Sequence, residues 1–305
     1  MTTSLDLPGA TAKTIAVEGV RFHLYRAGPA RKRRTTPTLL LHGVPQTAMC
    51  WSGLVPALAS DRVVLAPDLK GLGQSEAREP YDVATLVAEL AALVLHEVDG
   101  PVDVVGHDWG GSLALGLAGA RPDLVRRLVV IAAPYRHVDM RAAWHIPLLA
   151  LPVLPEVAFR LGGERIVRGM FARAYRAEGG PALLEHYVES YATPDRVAAM
   201  LGYYRGSVRP RLRAMAGRLV GAGANGDGDG DSAGDGDGKP RVAVERSLVI
   251  WGTADPAMPL AVGESVVRDL GANSTMLTLP GVGHWPVEEA ADVVIPAITD
   301  FVRSA

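Results

Sequence analysis

Val102-Asp103-Val104-Val105-Gly106-His107-Asp108-Trp109-Gly110-Gly111 opens as an apolar, β-branched run and passes through glycines into the small, apolar stretch Ser112-Leu113-Ala114-Leu115. A short run of the first kind reads as a buried strand, and the stretch after it reads as a buried helix. The chain therefore turns from strand to helix through a tight glycine-flanked turn with Asp108 at its centre. Such a turn holds its central side chain exposed above a sheet, beside backbone N–H groups and a helix N-terminus. A carboxylate held there can attack carbon. Taken alone, Asp108 has a second reading as a helix N-cap, since helix N-termini favour negative charge.

Working outward, short β-branched runs alternate with longer helical patterns, the rhythm of an α/β fold with a mostly parallel central sheet flanked by helices. Residues 15–25 read as an opening hairpin, and 38–41, 63–66, 102–105, 127–131, 248–251 and 275–279 as buried strands. Helices are expected over 83–98, 111–120, 260–270 and 288–302. From Arg136 to about residue 218 the chain is helical, rich in Pro, Tyr, Arg and Met, and without a convincing strand. The expected organisation is an α/β core from 1–135 and 241–305, an inserted helical cap at 136–220, and a disordered Gly/Asp-rich linker at 221–240. The Asp-Gly repeats of that linker do not fit a calcium loop. Counting from Asp227, Ser232 stands where glycine belongs and Gly238 where the bidentate glutamate belongs.

With 305 residues, 48% of them hydrophobic, the chain can bury a full core. A formal net charge of −2 supplies no field to gather nucleic acid or anionic membrane, so neither is an expected partner. The basic run at 31–34 lies between Gly28-Pro29 and a strand and reads as a solvated hairpin loop. Cys50 is the only cysteine, which excludes an intrachain disulfide framework and suits a cytoplasmic setting. The start of the chain lacks the pattern of a signal peptide. The most apolar stretch, 146–159, is broken by Pro147, Pro152 and Pro155 and reads as pocket lining.

Four stretches fall at the ends of expected parallel strands, where open α/β sheets bind ligands. They are His42-Gly43-Val44-Pro45, Gly106 to Gly111, Gly252-Thr253-Ala254-Asp255 and Gly281-Val282-Gly283-His284-Trp285. Their order is nucleophile, acid, histidine. Together they resemble the α/β-hydrolase superfamily, in its epoxide hydrolase and haloalkane dehalogenase branch, over the whole chain except the linker. The resemblance implies Asp108 as nucleophile, His284 as the base that activates water, Asp255 as its orienting acid, and the N–H groups of Val44 and Trp109 as oxyanion hole. It implies no metal or organic cofactor. Asp68 to Ser75 is similar to the family's loop after the preceding strand, with Lys70 where Arg is usual, and lacks the further glycine of a nucleotide-binding turn.

The leaving group separates the branches. An epoxide oxygen needs a proton donor, whereas a halide needs only N–H donors. Tyr203-Tyr204-Arg205 is similar to the aromatic-Tyr-Arg motif of epoxide hydrolase caps and implies Tyr204 as proton donor. His145 falls where those caps present a second donor, with Trp144 and Tyr191 as substitutes, and Trp144 and Tyr203 are expected to touch substrate. The implied function is hydrolysis of a small apolar epoxide by water to a vicinal diol. The alternatives are a haloalkane dehalogenase using the same Asp-His-Asp set and a noncatalytic binding member of the fold, and a homodimer is an expected assembly.

Overall fold

A computed structural model describes residues 6–29, 35–221 and 242–304. The basic run at 31–34 and residues 222–241, which hold nearly all of the expected linker and its Asp227 repeat, lie outside the described residues. Eight strands form one sheet: β1 (Ala10–Val17), β2 (Val20–Ala27), β3 (Thr38–Leu41), β4 (Val64–Pro67), β5 (Val102–His107), β6 (Val125–Ile131), β7 (Arg246–Gly252) and β8 (Ser274–Leu279). Their spatial order is β1-β2-β4-β3-β5-β6-β7-β8. β1 pairs antiparallel with β2 and β2 with β4, and every pair from β4 onward is parallel. The α/β architecture expected from the sequence is thus the observed one.

The sheet is covered by α1 (Leu54–Ala59), α2 (Val83–Glu97), α3 (Trp109–Ala120), α8 (Leu260–Leu270), α9 (Pro286–Glu289) and α10 (Ala291–Arg303). All residues of β3, β4 and β5 are buried, as strands covered on both faces must be. β5 carries a charge into that core. Asp103 takes two bonds from the Arg126 guanidinium at 2.9 and 2.7 Å, at the end of the strand away from Asp108. Burial pushes its carboxyl up against the pull of Arg126.

Two sequence expectations change. β8 was expected to be buried, but only Leu279 of its six residues is, because β8 is the last strand and has β7 alone as a neighbour. The single helix expected at 288–302 is two, since Ala290 leaves helical geometry at φ −138° and ψ 46° and the chain turns there between α9 and α10.

Between β6 and β7 lie α4 (His145–Leu149), α5 (Leu154–Ala174), α6 (Leu184–Ser190) and α7 (Pro194–Gly221), with no strand among the described residues of this stretch. α7 packs against α4, α5 and α2, which seats the stretch over the carboxyl ends of the parallel strands.

Candidate active site

The turn between β5 and α3 forces Asp108 into a conformation that L-residues rarely adopt, φ 51° and ψ −120°. Strain of this kind costs about 1–3 kcal/mol and persists only where the surroundings impose it. Here close backbone contact imposes it. A Cβ on Gly106 would stand 2.4 Å from the Gly110 carbonyl oxygen, and one on Gly110 would stand 2.2 Å from that of Leu41. Any side chain at either position would push α3 off the strand ends.

The strain presents the Asp108 carboxylate to the loops that carry Val44 and His284. The Val44 N–H donates to Asp108 Oδ1 at 2.8 Å. On the other side His284 Nε2 stands 3.5 Å from Asp108 Oδ2. His284 Nδ1 lies 2.6 Å from Asp255 Oδ2, while Asp255 Oδ1 accepts the N–H groups of Ala257 and Met258 at 2.8 and 2.9 Å. Asp255 is therefore fixed at both oxygens, and the ring of His284 is fixed by Asp255. Trp109 opens α3 directly after Asp108. Val44, Trp109, Asp108, Asp255 and His284 thus converge as their places at strand ends imply.

The charges are coupled. Burial alone would lower the His284 pKa, but the Asp255 charge and the contacts with Asp108 outweigh it and hold the imidazole at about 10. Burial would raise the Asp108 carboxyl, but the hydrogen bond and charge of His284 carry it below the ordinary carboxylate value. The resting site is an imidazolium between two carboxylates. Its contribution to stability is present below the unfolded histidine value of 6.5 and is lost as pH rises through about 10. At the acid end it is lost as pH falls through the lowered pKa of Asp108.

Two cavities meet at this carboxylate. One of about 360 Å³ is lined by Trp144, Leu148, Met170 and His284, and one of about 270 Å³ by Trp109, Tyr135, Val138 and Met140. Asp108, His145 and Tyr204 line both and stand at their junction. The ring of Tyr204 packs edge-on against Trp109 at 5.3 Å and lies 6.4 Å from that of His145. Burial, then the Asp108 charge, raises the Tyr204 pKa, so its phenol keeps its proton.

Tyr203 departs from expectation. It is fully buried, donates its hydroxyl to the Lys70 carbonyl at 2.8 Å, and lines neither cavity at Asp108. Adjacent residues on a helix point about 100° apart, so Tyr203 and Tyr204 cannot both face the same cavity. Tyr191 is buried as well, with a hydroxyl that finds no hydrogen-bond partner among the described residues, and it lines neither cavity.

Glu289 and Arg173 carry site functions that the sequence reading did not assign. Glu289 accepts the N–H groups of Gly283 at 2.9 Å, Trp285 at 2.9 Å and Arg176 at 2.7 Å. One carboxylate thereby clamps both neighbours of His284 and ties them to the chain leaving α5. In the sequence Glu288 and Glu289 look only like the acidic first turn of a helix. Arg173 lies over the Trp144 ring at 5.1 Å and lines the larger cavity, where the other full charges are Asp108 and His284.

The profile of the alpha/beta hydrolase family matches residues 38–297. The chain belongs to that family. A stretch of 116 residues is 41% identical to the soluble epoxide hydrolase of Corynebacterium sp. (strain C12), spanning 38% of this chain and 39% of that protein. Epoxide hydrolase 4 of Mus musculus is 25% identical over 93% of this chain and 77% of its own length. The Cif epoxide hydrolase from Acinetobacter nosocomialis superposes with a TM-score of 0.77 at 22% identity, over 97% of this chain and 90% of that one, a likeness that concerns the fold alone. The family and the sequence relatives support a hydrolase activity. No described helix is long and apolar enough to cross a membrane.

Proposed function

We propose that the protein is an epoxide hydrolase that opens an apolar epoxide to a vicinal diol through an ester on Asp108. The observation that carries this reading is a carboxylate, not a hydroxyl, at the strained turn, facing both an imidazole and a phenol that keeps its proton. Residues 136–220 act as a cap that supplies the phenol.

Asp108 Oδ1 is held by Val44, so the attacking atom is Oδ2. As Oδ2 bonds to an epoxide carbon, the C–O bond of the ring breaks, and the departing oxygen takes the Tyr204 proton, with His145 beside it. Esterification removes the Asp108 charge that helped to hold His284 protonated. The imidazole pKa then falls, its proton passes through water to the Tyr204 phenolate, and the neutral His284 can take a proton from the attacking water, with Asp255 keeping its orientation. Hydroxide adds to the Asp108 carbonyl carbon, the developing charge on Oδ1 meets the N–H groups of Val44 and Trp109, and collapse releases the diol.

The mostly apolar lining of both cavities suits an apolar substrate. A second reading, cleavage of a carbon–halogen bond, is favoured by the indoles of Trp109 and Trp144, each beside Asp108 in one of the two cavities. Tyr204→Phe separates the two. It is expected to lower diol formation from styrene oxide by about 10²–10⁴-fold, the usual worth of a general acid. It is expected to leave any release of bromide from 1-bromohexane untouched. Wild-type protein that releases bromide and forms no diol would make the dehalogenase reading the correct one.

A further inference from the structure

His107, Gln46 and Glu288 form a hydrogen-bonded chain behind His284 that the reaction does not use. His107 Nε2 lies 2.8 Å from the His284 carbonyl oxygen. His107 Nδ1 lies 2.8 Å from the Gln46 carboxamide at the position placed as Oε1, and the position placed as Nε2 lies 2.5 Å from Glu288 Oε1. The Tyr187 hydroxyl donates to that same Glu288 oxygen at 2.8 Å. His107 and Gln46 are each 1% exposed, so water is not on hand to repair a missing donor.

We propose that Glu288 is a protonated carboxylic acid in the resting protein, joined through the Gln46 carboxamide to a neutral His107, and that this uncharged relay positions the backbone of His284.

The hydrogens of this chain can be placed in only two ways. The His284 carbonyl only accepts, so His107 Nε2 must carry a hydrogen. If His107 is an imidazolium, Nδ1 donates to the Gln46 carbonyl, and the Gln46 NH2 donates to an ionised Glu288. If His107 is neutral, Nδ1 accepts from the Gln46 NH2, and the Gln46 carbonyl then needs a proton from Glu288. A half-turn of the carboxamide exchanges the two arrangements without moving a heavy-atom position. Both hold the same number of protons, and no third arrangement pairs every group.

Three observations choose the neutral one. The His107 and His284 rings lie 5.3 Å apart, and a second imidazolium beside the charged His284 would be repelled in a buried site. With the carboxamide turned so that its oxygen faces Glu288, the 2.5 Å contact falls in the O–H···O range of about 2.5–3.0 Å. Burial, and next the His284 charge, push the His107 imidazole down to about 4, and burial is the main cause raising Glu288. The titratable groups around Glu288 give it no cation. They are Tyr187 from α6, Cys50 from the 3₁₀ turn Ala48–Trp51, Tyr175 after α5, and Glu289 beside it on α9. The partners of Glu288 among the described residues are Gln46 and Tyr187, and no lysine or arginine is among them.

The relay is intact below the raised pKa of Glu288 and is lost as pH rises through it. Ionised Glu288 would face the Gln46 carbonyl, acceptor against acceptor, or force the carboxamide round so that its carbonyl faces the His107 lone pair. Glu288→Gln keeps a donor at that position at every pH. Its NH2 can donate one hydrogen to the Gln46 carbonyl and the other to the Tyr187 hydroxyl oxygen, so the variant imitates the donor of the protonated acid.

The test reads protonation directly. Protein labelled with ¹⁵N in its histidines is observed by NMR near pH 7, with His107→Gln assigning the signal among eight histidines. In wild type, His107 should bear hydrogen on Nε2 alone, and Glu288→Gln should leave that state unchanged. A doubly protonated His107 in wild type that becomes singly protonated in Glu288→Gln would overturn the proposal. Should the variant fail to fold, a doubly protonated His107 in wild type alone would do the same. In turnover, Glu288→Gln should stay within about twofold of wild type at neutral pH and hold its activity to higher pH. Glu288→Ala should lose about tenfold, the scale of an outer hydrogen-bond partner. Equal losses in both variants at neutral pH would refute the positioning role. The turnover arm rests on His284 as the base in epoxide opening. The NMR arm needs no substrate, so failure of that reading and failure of the relay are told apart.

Discussion

Asp108→Ala is expected to reduce diol formation by about 10⁴–10⁶-fold, the range for removing a covalent nucleophile whose partners act as a unit with it. No neighbouring group can replace it. Asp255 is held at both oxygens by His284, Ala257 and Met258 and faces away from the cavities at Asp108. The fold should survive, because the strained turn is set by Gly106 and Gly110 against backbone. A second readout follows from charge. His284 loses the carboxylate that helps to hold it at about 10, so its titration should move down, and ¹⁵N NMR can follow it. Turnover within tenfold of wild type would mean that the chemistry lies elsewhere; Asp108 makes no side-chain capping bond to α3.

His284→Gln is expected to stop turnover by a similar factor and to leave the first half of the reaction in place. Glutamine cannot take a proton from water, but Asp108 and Tyr204 remain, so ring opening should proceed once per molecule. The intact protein should gain the mass of one epoxide and form no diol. Its pH behaviour should change as well. Without the imidazolium, the Asp108 carboxyl should titrate higher than in wild type, and the rate of ester formation should fall at a correspondingly higher pH on the acid side. Continued turnover in this variant would contradict a histidine-dependent ester.

Much of this arrangement was legible in the sequence because it depends on local backbone. The run into Gly106 and out through Gly110 has few ways to fold, and Val44, Asp255 and His284 each follow a strand of the same parallel sheet. What escaped the sequence was set by tertiary position. Thr275 to Leu279 is apolar enough for a central strand, and only the sheet order makes it an edge. Tyr203 shares a motif with Tyr204, but helix geometry turns it to Lys70. That restriction could have been read from the sequence. Glu288 and Glu289 look like an ordinary helix start, and their roles exist only because α9 is short and breaks at Ala290. The junction of two cavities at His145 and Tyr204 depends on how residues 136–220 sit over the sheet, which no local pattern encodes.

An ester between Asp108 and an epoxide carbon can be seen by peptide mapping with mass spectrometry of the His284→Gln variant after separate incubation with styrene oxide and 1-bromohexane. An adduct from styrene oxide on the peptide that contains Asp108, with none from the bromide, is the expected result. An adduct from the bromide alone, or an epoxide adduct on another residue with Asp108 unmodified, would contradict it.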